Sequence, residues 1–471
     1  MKNYDKILEE LNGKIWDHSE LKFNEYKSSN DMIEVLKNEN FIIKKGLAGM
    51  DTAFTATFGK GKPVIGILGE FDALSGLSQK SGEDRAIPRE ETTNGHGCGH
   101  CLLGTAGIGA VLMVRDFLVE NNKEGTIIFI GCPGEEGGSG KAYLARDGVF
   151  DNLDIALTWH PSGGNAIITG SFQANCQVYF KFKGVSSHAA GAPHLGRSAL
   201  DAVELMNVGV NYLREHIEST DRIHYAVIDT GGISPNVVQS HAKVLYLIRS
   251  TDTEKVKKLY ERVCKVAQGA ALMTETEVEI IFDKACSNVI SNSILEDVLY
   301  ETMKEIPLPN YSEKDLEFAE KIKKTITDVD RNSDMSLMFV SNLKRKELAN
   351  KYKEILMSNF VVEHTHQDIN IPGSSDVGDC SHVVPTAQFS GACFVPGTPG
   401  HSWQMVSQGK EGIAIKGMLY ASKVLAKSVE KLIENPQLIE KAKDEFNKVT
   451  EEKPYSCPIP LEVKPDILGN R

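Results

Sequence analysis

The stretch CLLGTAGIGAVLMVRDFLVENNKEGTIIFIGC (101–132) decides the fold. Its first part, residues 101–120, is mostly apolar and long enough for a buried helix, and TIIFIGC (126–132) reads as a buried strand. An earlier apolar run, VIGIL (64–68), predicts a second strand. Because strand, helix and strand in this order form the unit of a parallel sheet, we predict an α/β fold. Its sheet should be mixed but mostly parallel, and flanked by helices.

The rest of the chain indicates two domains. Residues 4–44 carry apolar residues at helical spacing and are predicted to form helices, and residues 53–68 are predicted to form a hairpin. From residue 173 to residue 286 the pattern changes to a β-α-β-β-α-β order, which is typical of a small α+β domain. We therefore expect one domain formed by residues 1–172 and 287–471, with residues 173–286 inserted into it.

Composition limits the class of protein. With 471 residues the chain exceeds the size at which a single core stops growing, and its net charge of −12 disfavours general binding to nucleic acid or anionic membranes. We expect no apolar run to be long enough for a membrane span, and the N-terminus lacks the apolar core of a signal peptide. Nine cysteines without a framework spacing indicate a reducing compartment. We expect a cytoplasmic protein.

Metal-binding or acidic residues follow several of the apolar runs within a few positions. They are Glu70 and Asp72 after VIGIL (64–68), Cys98 and His100 in the loop NGHGCGH (94–100), Glu135 and Glu136 after TIIFIGC (126–132), His160 after IALTW (155–159), and His401 after QFSGACFV (388–395). In an open α/β sheet, ligands bind beyond the carboxyl ends of the strands, so these residues should converge. Thiolate, imidazole and carboxylate together form a ligand set for a divalent metal.

The pair Glu135-Glu136 suits metal-assisted hydrolysis. Neighbouring residues at a strand end point in different directions, so one carboxylate can bind metal while the other takes a proton from water as a general base. The alternative is two solvated glutamates at a helix N-terminus, where the helix dipole favours them. The glycines in CPGEEGGSGK (132–141) favour a site, since they let the backbone approach a ligand closely.

The loop around Cys98 leaves a second interpretation open. Cys98 could be a reactive nucleophile paired with His100 instead of a metal ligand, which would make the protein a thiol hydrolase. His96 could replace one of the ligands, but we expect it to be structural, and we expect Cys101 to be packed in the core.

A histidine that is isolated in the sequence is a candidate metal ligand only if its position relative to the predicted strands supports that role. His160 and His401 could be satisfied core or loop residues, but each follows a predicted strand as the other candidates do. His364, His366 and His382 lie in a polar stretch, and we expect all three on the surface.

Taken together, these motifs resemble a known family. The matching segments are LGEFDALSGLSQ, GHGCGHCLLGTA, GCPGEEGGSGKAYL, ALTWHP, SSHAAGAPHLGRSALDAV, SPNVV, SSDVGDCSHVVP and GTPGHSWQ. They resemble the aminobenzoyl-glutamate hydrolase B-subunit family. That family is part of a larger group of dinuclear metallopeptidases with aminoacylases, glutamate carboxypeptidases and auxin-conjugate hydrolases.

The resemblance implies two divalent ions, zinc or manganese, in the larger, catalytic domain. The residues that it implies as metal ligands are Cys98, His100, Glu136, His160 and His401. Glu135 would be the general base, and Asp72 would support the site without touching metal. Cys98 stands where many relatives have a bridging aspartate. Glu70 stands where many have a metal-binding histidine, which leaves its role open.

For the inserted domain, the resemblance implies a lid that closes on substrate and forms a homodimer. His188 matches a histidine that reaches across the dimer to the oxyanion, and Asn236 and Arg249 match positions that hold the substrate carboxylate. An arginine suits that task because its guanidinium binds a carboxylate through two parallel hydrogen bonds. Without the resemblance, Arg249 would be interpreted as a surface charge and His188 as a turn residue.

The expected function is metal-dependent hydrolysis of the amide bond of a small N-acyl amino acid, with an aminobenzoyl-glutamate-like compound as the leading substrate. A dipeptidase for dipeptides ending in a basic residue is the alternative within this chemistry. From a different class, the chain could be a non-catalytic subunit that needs a companion subunit. The intact Glu135-Glu136 pair argues against a site without activity.

Overall fold

A computed structural model describes residues 2–332 and 334–467 of the chain, without the side chain of Asn342. The ends of the predicted first domain, Met1 and 468–471, therefore lie outside the described residues. The chain divides into two compact units. The first unit extends from the N-terminus to Ser171 and includes Ile290–Ile371 and Asp379–Ser456. The second comprises Phe172–Val289, Pro372–Gly378 and the described residues from Cys457 onward.

The strands are β1 (Ile42–Leu47), β2 (Met50–Lys60), β3 (Val64–Glu70), β4 (Leu74–Ser75), β5 (Asn94–Gly95), β6 (Gly125–Cys132), β7 (Ile155–Ser162), β8 (Ala166–Ile168), β9 (Ser171–Phe172), β10 (Ala174–Lys183), β11 (Arg222–Asp229), β12 (His241–Ser250), β13 (Glu277–Cys286), β14 (Asn370–Ile371) and β15 (Thr386–Ala392). The α-helices are α1 (Asp5–His18), α2 (Tyr26–Asn38), α3 (His100–Glu120), α4 (Glu135–Gly138), α5 (Gly140–Arg146), α6 (Ala199–Leu213), α7 (Thr253–Thr274), α8 (Ser293–Glu305), α9 (Glu313–Lys323), α10 (Asp328–Arg331), α11 (Asn342–Glu354), α12 (Val377–Ser381), α13 (Trp403–Gln408), α14 (Gly412–Glu434) and α15 (Pro436–Thr450).

The first unit is built on a seven-stranded sheet in the order β1-β2-β6-β3-β7-β15-β8. The four central strands β6, β3, β7 and β15 are parallel to their neighbours within that group. The outer pairings, β1 with β2, β2 with β6 and β15 with β8, are antiparallel. The predicted α/β fold with a mixed, mostly parallel sheet is therefore confirmed.

Helix α3 is the central helix of this unit. It packs in the hydrophobic core together with α14, and most of its side chains are buried. By length and composition it is also the one helix among the described residues that could cross a membrane, which corrects our expectation that no apolar run is long enough. However, 78% of that apolar window is buried inside the protein, as is typical of a core helix.

Two details of the sequence prediction are wrong. The predicted hairpin over 53–68 does not form, because β6 lies between β2 and β3 and pairs with both. The nearly all-buried β3 takes a partner on each side, β6 and β7, as buried parallel strands do. Residues 42–44 belong to β1 instead of a helix, since two consecutive β-branched residues favour a strand.

The second unit contains a four-stranded antiparallel sheet in the order β11-β12-β10-β13. Its elements follow one another as β10-α6-β11-β12-α7-β13, which is the predicted order. Buried and half-exposed residues alternate along β12, and α6 and α7 cover one face of the sheet. Segment 372–378, which the sequence predicts in the first domain, packs with this unit, where Arg249 donates a hydrogen bond to Ser374 Oγ (3.0 Å).

Candidate metal centre

The strand register brings the candidate residues of the first unit to one edge of its sheet. Glu70, the last residue of β3, lies opposite Cys132 at the end of β6, two residues before the turn that carries Glu135 and Glu136. His160 lies near the end of β7, opposite Ser390 of β15. The carboxyl ends of the parallel strands thus place Glu70, Glu136 and His160 at the same edge of the sheet, as the sequence pattern indicates.

The loop that holds Cys98 requires glycine at position 99. Gly99 has φ +78°, and a Cβ at this position would lie 2.7 Å from Pro161 Cγ. A second loop closes on the first through a hydrogen bond from His401 N to Gly97 O (2.9 Å). These contacts place Cys98 and His401 on neighbouring loops over the sheet edge.

Two groups of possible metal ligands share Cys98. One consists of Cys98, His100 and His160, and the other of Cys98, Glu136 and His401. Within each group, one donor atom from every residue lies within 4.8 Å of the others. The distance from Cys98 Sγ to His160 Nε2 is 3.4 Å, and that from His401 Nε2 to Glu136 Oε1 is 3.3 Å. Tetrahedral zinc bonds would separate such atoms by about 3.3–3.6 Å, so the donors fit an ion with little movement.

Outer contacts fix the orientation of the imidazoles. Asp72 lies 2.9 Å from His100 Nδ1 through Oδ1, while its Oδ2 accepts a hydrogen bond from the backbone N–H of Glu136 (3.0 Å). His160 Nδ1 lies 2.9 Å from Pro161 O. In both rings Nδ1 is engaged and Nε2 is left to face the other donors, which is how metal-binding histidines are commonly held.

Glu135 and Glu136 lie in the first turn of α4, not at the strand end that we predicted. Gly134 precedes them with φ 68° and starts this short helix. Helical rotation then separates the two carboxylates: Glu136 joins Cys98 and His401, whereas Glu135 lies within 4.8 Å of donor atoms of Glu70 and His100. The two side chains thus face different parts of the centre, as expected, although for a different local reason.

Glu70 forms a buried ion pair that the sequence did not reveal. Lys141 Nζ donates to Glu70 Oε1 (2.6 Å), and both side chains are buried. Glu70 Oε2 also lies 3.2 Å from His100 Nε2. Burial raises the pKa of Glu70, but the charges of Lys141 and His100 outweigh it and hold that pKa below its usual value. Lys141 therefore balances the negative charge of the buried Glu70.

The charges of the two donor groups that share Cys98 favour a bound cation. Burial and Glu136 raise the pKa of Cys98, but His160 and His100 more than compensate and lower it to about 6. Burial likewise raises the pKa of Glu136, but its hydrogen bond to His401 contributes to lowering it to about 2. Hydrogen bonds to Cys98 and Glu136 raise the pKa of His401 to about 10. Protons on the imidazoles thus balance the thiolate and carboxylates. A divalent ion would take their place and release them.

We expect Cys98 in metal-stripped protein to react as a thiolate at neutral pH. With a pKa of about 6, its iodoacetamide alkylation rate should rise through about pH 6 and then level off, instead of rising through the ordinary value of about 8.5. Mass spectrometry of the Cys98 peptide gives the profile. Buried Cys101, whose pKa burial raises to about 12, is the internal control and should stay unmodified. A Cys98 midpoint near 8.5 would contradict the charge arrangement described here.

Other candidates from the sequence are placed differently. His96 is buried and its Nε2 lies 3.0 Å from Ile15 O. Burial lowers its pKa to about 3, so it is a neutral structural residue as expected. Cys101 is packed in the core. His366 is 46% exposed, but the side chain of His364 is only 4% exposed. The prediction that His364 lies on the surface is therefore wrong, because its ring packs beside Tyr300.

His188 and Asn236 are neighbours in the second unit. His188 pairs with Val237 in an isolated bridge, and the carbonyl of Asn236 accepts a hydrogen bond from Ala189 N (2.9 Å). The exposed His188 accepts hydrogen bonds at Nδ1 from the backbone N–H groups of Ala190 (3.2 Å) and Gly191 (3.0 Å). A ring that accepts at Nδ1 carries its proton at Nε2, so the turn presents His188 as a donor.

Arg249 lies next to positive charges that its local sequence does not predict. Arg222 of β11 is directly opposite Arg249 of β12, so both point to the same face of the sheet. Burial and the charges of Arg249, Arg214 and Arg222 lower the pKa of His224, which shows that this face is cationic. The pairing of β11 with β12 brings Arg222 and Arg249 together, and no local sequence motif predicts this contact.

Comparison with known proteins gives consistent matches. Residues 67–431 match the model of Peptidase family M20/M25/M40. The chain is 46% identical to the B subunit of p-aminobenzoyl-glutamate hydrolase of Escherichia coli over 96% of this chain and 95% of that protein. It is 29% identical to the Xaa-Arg dipeptidase of Mus musculus over 64% of this chain and 69% of that one. The crystal structure of the Bacillus subtilis protein YXEP, described as a dinuclear metal binding peptidase, shares the fold with a TM-score of 0.56 and 16% identity, covering 92% and 99% of the two chains.

Proposed function

Because this chain belongs to Peptidase family M20/M25/M40 and is therefore a hydrolase of amide bonds, we propose that it cleaves small N-acyl amino acids, with p-aminobenzoyl-glutamate as its preferred substrate. The observation that carries the mechanism is the pair of donor groups that share Cys98. We propose that each group holds one divalent ion. Thiolate and imidazole donors favour zinc among the candidate metals.

When bound, the ions would polarise the scissile carbonyl and make water more acidic. Glu135 is the proposed base: its carboxylate accepts the proton of the attacking water and then delivers it to the leaving nitrogen. Asp72 keeps His100 and the backbone of Glu136 in place through both of its carboxylate oxygens. In the proposed homodimer, His188 would reach across the dimer and donate its Nε2–H to the oxyanion, which stabilises charge that develops in the transition state.

Two arginines support an acidic substrate. A glutamate leaving group carries two carboxylates, and each needs a cationic partner. We propose that Arg249, with Asn236, binds the α-carboxylate and that Arg222, opposite it in register, binds the side-chain carboxylate. A substrate ending in arginine would be repelled by this face, which disfavours the activity named for the Xaa-Arg dipeptidase relative.

A substrate panel tests this assignment. We expect kcat/KM to be highest for p-aminobenzoyl-glutamate, lower for the matching alanine conjugate and lowest for the arginine conjugate. Arg222→Ala should reduce the preference for glutamate over alanine by about 10-fold or more, the effect of losing a charge-assisted hydrogen bond of about 1.5–3 kcal/mol. Lys181→Ala, at an exposed cation on β10, is the control. A wild-type preference for the arginine conjugate would contradict the proposal.

Chelation separates the proposed chemistry from its rivals. A metal enzyme loses activity when a chelator removes its ions and regains it when zinc returns, whereas a thiol hydrolase using Cys98 keeps its activity. A non-catalytic subunit would show no activity as a purified chain, with or without metal. The Escherichia coli relative is named as one subunit of a hydrolase, so we also propose a companion subunit for this chain. Adding that subunit to the purified chain should raise the measured activity.

We further propose a cytoplasmic homodimer formed through the second unit. Strand β11 is at the edge of its sheet and exposes Tyr225, Val227 and Ile228, an arrangement that invites pairing with another chain. Helix α6 adds the exposed Tyr212. The sequence has nine cysteines without a framework spacing, which fits a reducing compartment. A monomer in sedimentation equilibrium at micromolar concentration would contradict the dimer.

A further inference from the structure

A second cluster of metal-binding side chains lies in the first unit and shares no residue with the Cys98 groups. It consists of Glu296 on α8 and of His364 and His366, which lie on the chain segment between α11 and β14. One donor atom of each residue lies within 4.8 Å of the other two. The mechanism proposed above uses none of these residues.

The three donors converge on one side of Glu296. Its Oε2 lies 3.0 Å from His366 Nδ1 and 3.4 Å from His364 Nε2. Zinc bonds of about 2.0–2.2 Å to nitrogen and oxygen, at tetrahedral angles, would separate ligand atoms by about 3.3–3.6 Å. The first distance is slightly shorter than this and the second falls within it, so a shift of a few tenths of an ångström would admit an ion.

The outer contacts hold these donors in place. Asp297 Oδ1 lies 3.1 Å from His366 Nε2, which leaves Nδ1 of that ring to face Glu296. Thr169 Oγ1 donates a hydrogen bond to Glu296 Oε2 (2.9 Å). A carboxylate on the far nitrogen of a histidine and a hydrogen bond on a ligating carboxylate are the usual supports of metal ligands.

The buried Nε2 atom of His364 is independent evidence that this cluster binds a ligand. Its side chain is only 4% exposed, and its buried Nε2 makes no hydrogen bond within the part of the chain that the structure describes. A buried polar atom left without a hydrogen bond destabilises the folded chain. An ion bound between His364 and Glu296 would satisfy this nitrogen.

We propose that Glu296, His364 and His366 form an additional site for a divalent transition-metal ion, with zinc as the best match. Two imidazoles and one carboxylate favour zinc over magnesium or calcium, which prefer oxygen ligands. Because His366 is half-exposed, the ion would be reachable from solvent. It would fasten the segment that carries both histidines to α8. The competing interpretation is a cluster without metal, in which the two imidazoles contact the Glu296 carboxylate directly.

Metal counting on the full-length protein distinguishes the two interpretations. After chelator treatment and dialysis against zinc, we expect two ions at the Cys98 groups plus one at this cluster, three in all. His366→Ala, at the half-exposed ligand, should lower the count by one and leave kcat/KM unchanged. His194→Ala, at an exposed histidine of the second unit, is the matched control and should keep all three. An unchanged count in His366→Ala would overturn the proposal.

A second measurement keeps the test independent of the hydrolytic site. In a Cys98→Ala background, which we expect to lack the other two ions, one Co²⁺ should still bind. Its visible absorption should lack the sulfur-to-cobalt charge-transfer band, because no thiolate belongs to the cluster. Asp297→Asn should weaken this binding by about 10–100-fold, the usual effect of losing an outer partner. A chain without Cys98 that binds no Co²⁺ would overturn the additional site but not the proposed hydrolase.

Discussion

Cys98→Ala is expected to remove both ions of the hydrolytic site and to lower kcat/KM by about a thousandfold or more. Cys98 is the only residue common to the two donor groups of this site, so its loss leaves each ion with two protein ligands. Ions that polarise a carbonyl contribute several kcal/mol to the transition state, and each 1.36 kcal/mol is tenfold in rate. Metal analysis and steady-state kinetics on the same preparation measure both effects.

Cys101→Ala is the matched control for this substitution. It removes a neighbouring thiol that is fully buried, and burial raises its pKa to about 12, so it should remain a neutral packing residue. We expect the control to keep the full metal content and most of the activity, with a modest loss of stability from the missing sulfur. If Cys98→Ala kept both ions at wild-type affinity, Cys98 would not bridge the two groups.

Glu135→Gln is expected to retain the metals and to lower kcat by about 10²–10⁴-fold, the usual contribution of a positioned acid–base group. Glutamine has the shape of glutamate but accepts no proton. The ligand group that contains Cys98 and His401 takes its carboxylate from Glu136, so the metals should stay. The KM should change less than kcat, because the missing proton transfer belongs to the chemical step.

Glu136→Gln provides the contrast at the adjacent position. It should weaken metal binding as well as turnover, because an amide replaces an anionic ligand. Added zinc should therefore restore part of the activity of Glu136→Gln but none of the activity of Glu135→Gln. Near-wild-type turnover in Glu135→Gln would remove it as the base. Loss of metal from that variant would instead make Glu135 a ligand, which its position beside Glu70 and His100 would then explain.

The sequence was most informative where function follows strand order. Glu70, Glu136, His160 and His401 follow apolar runs, and parallel strands bring such positions to one edge of the sheet regardless of their distance along the chain. This is why residues as far apart as Glu70 and His401 are predicted to lie together. The same reasoning did not give the strand order itself: β6 lies between β2 and β3, and the predicted hairpin fails because tertiary pairing overrides the local turn.

The sequence was least informative where a residue depends on a remote partner. Lys141 forms its ion pair with Glu70, which is remote in the sequence. Arg222 lies opposite Arg249 because their strands pair. His364 looked like a surface residue because its neighbours are polar, yet Tyr300 and Glu296 of α8 enclose it. Charge and burial at these positions follow from packing, and no spacing rule along the chain encodes that.

Anomalous X-ray diffraction from a crystal of the zinc-loaded chain, recorded at the zinc edge, tests the central claim most directly. We predict two peaks that share Cys98 Sγ at about 2.3 Å, one bounded by His100 and His160 and the other by Glu136 and His401. A crystal with zinc bound elsewhere and none within bonding distance of Cys98 would contradict the account.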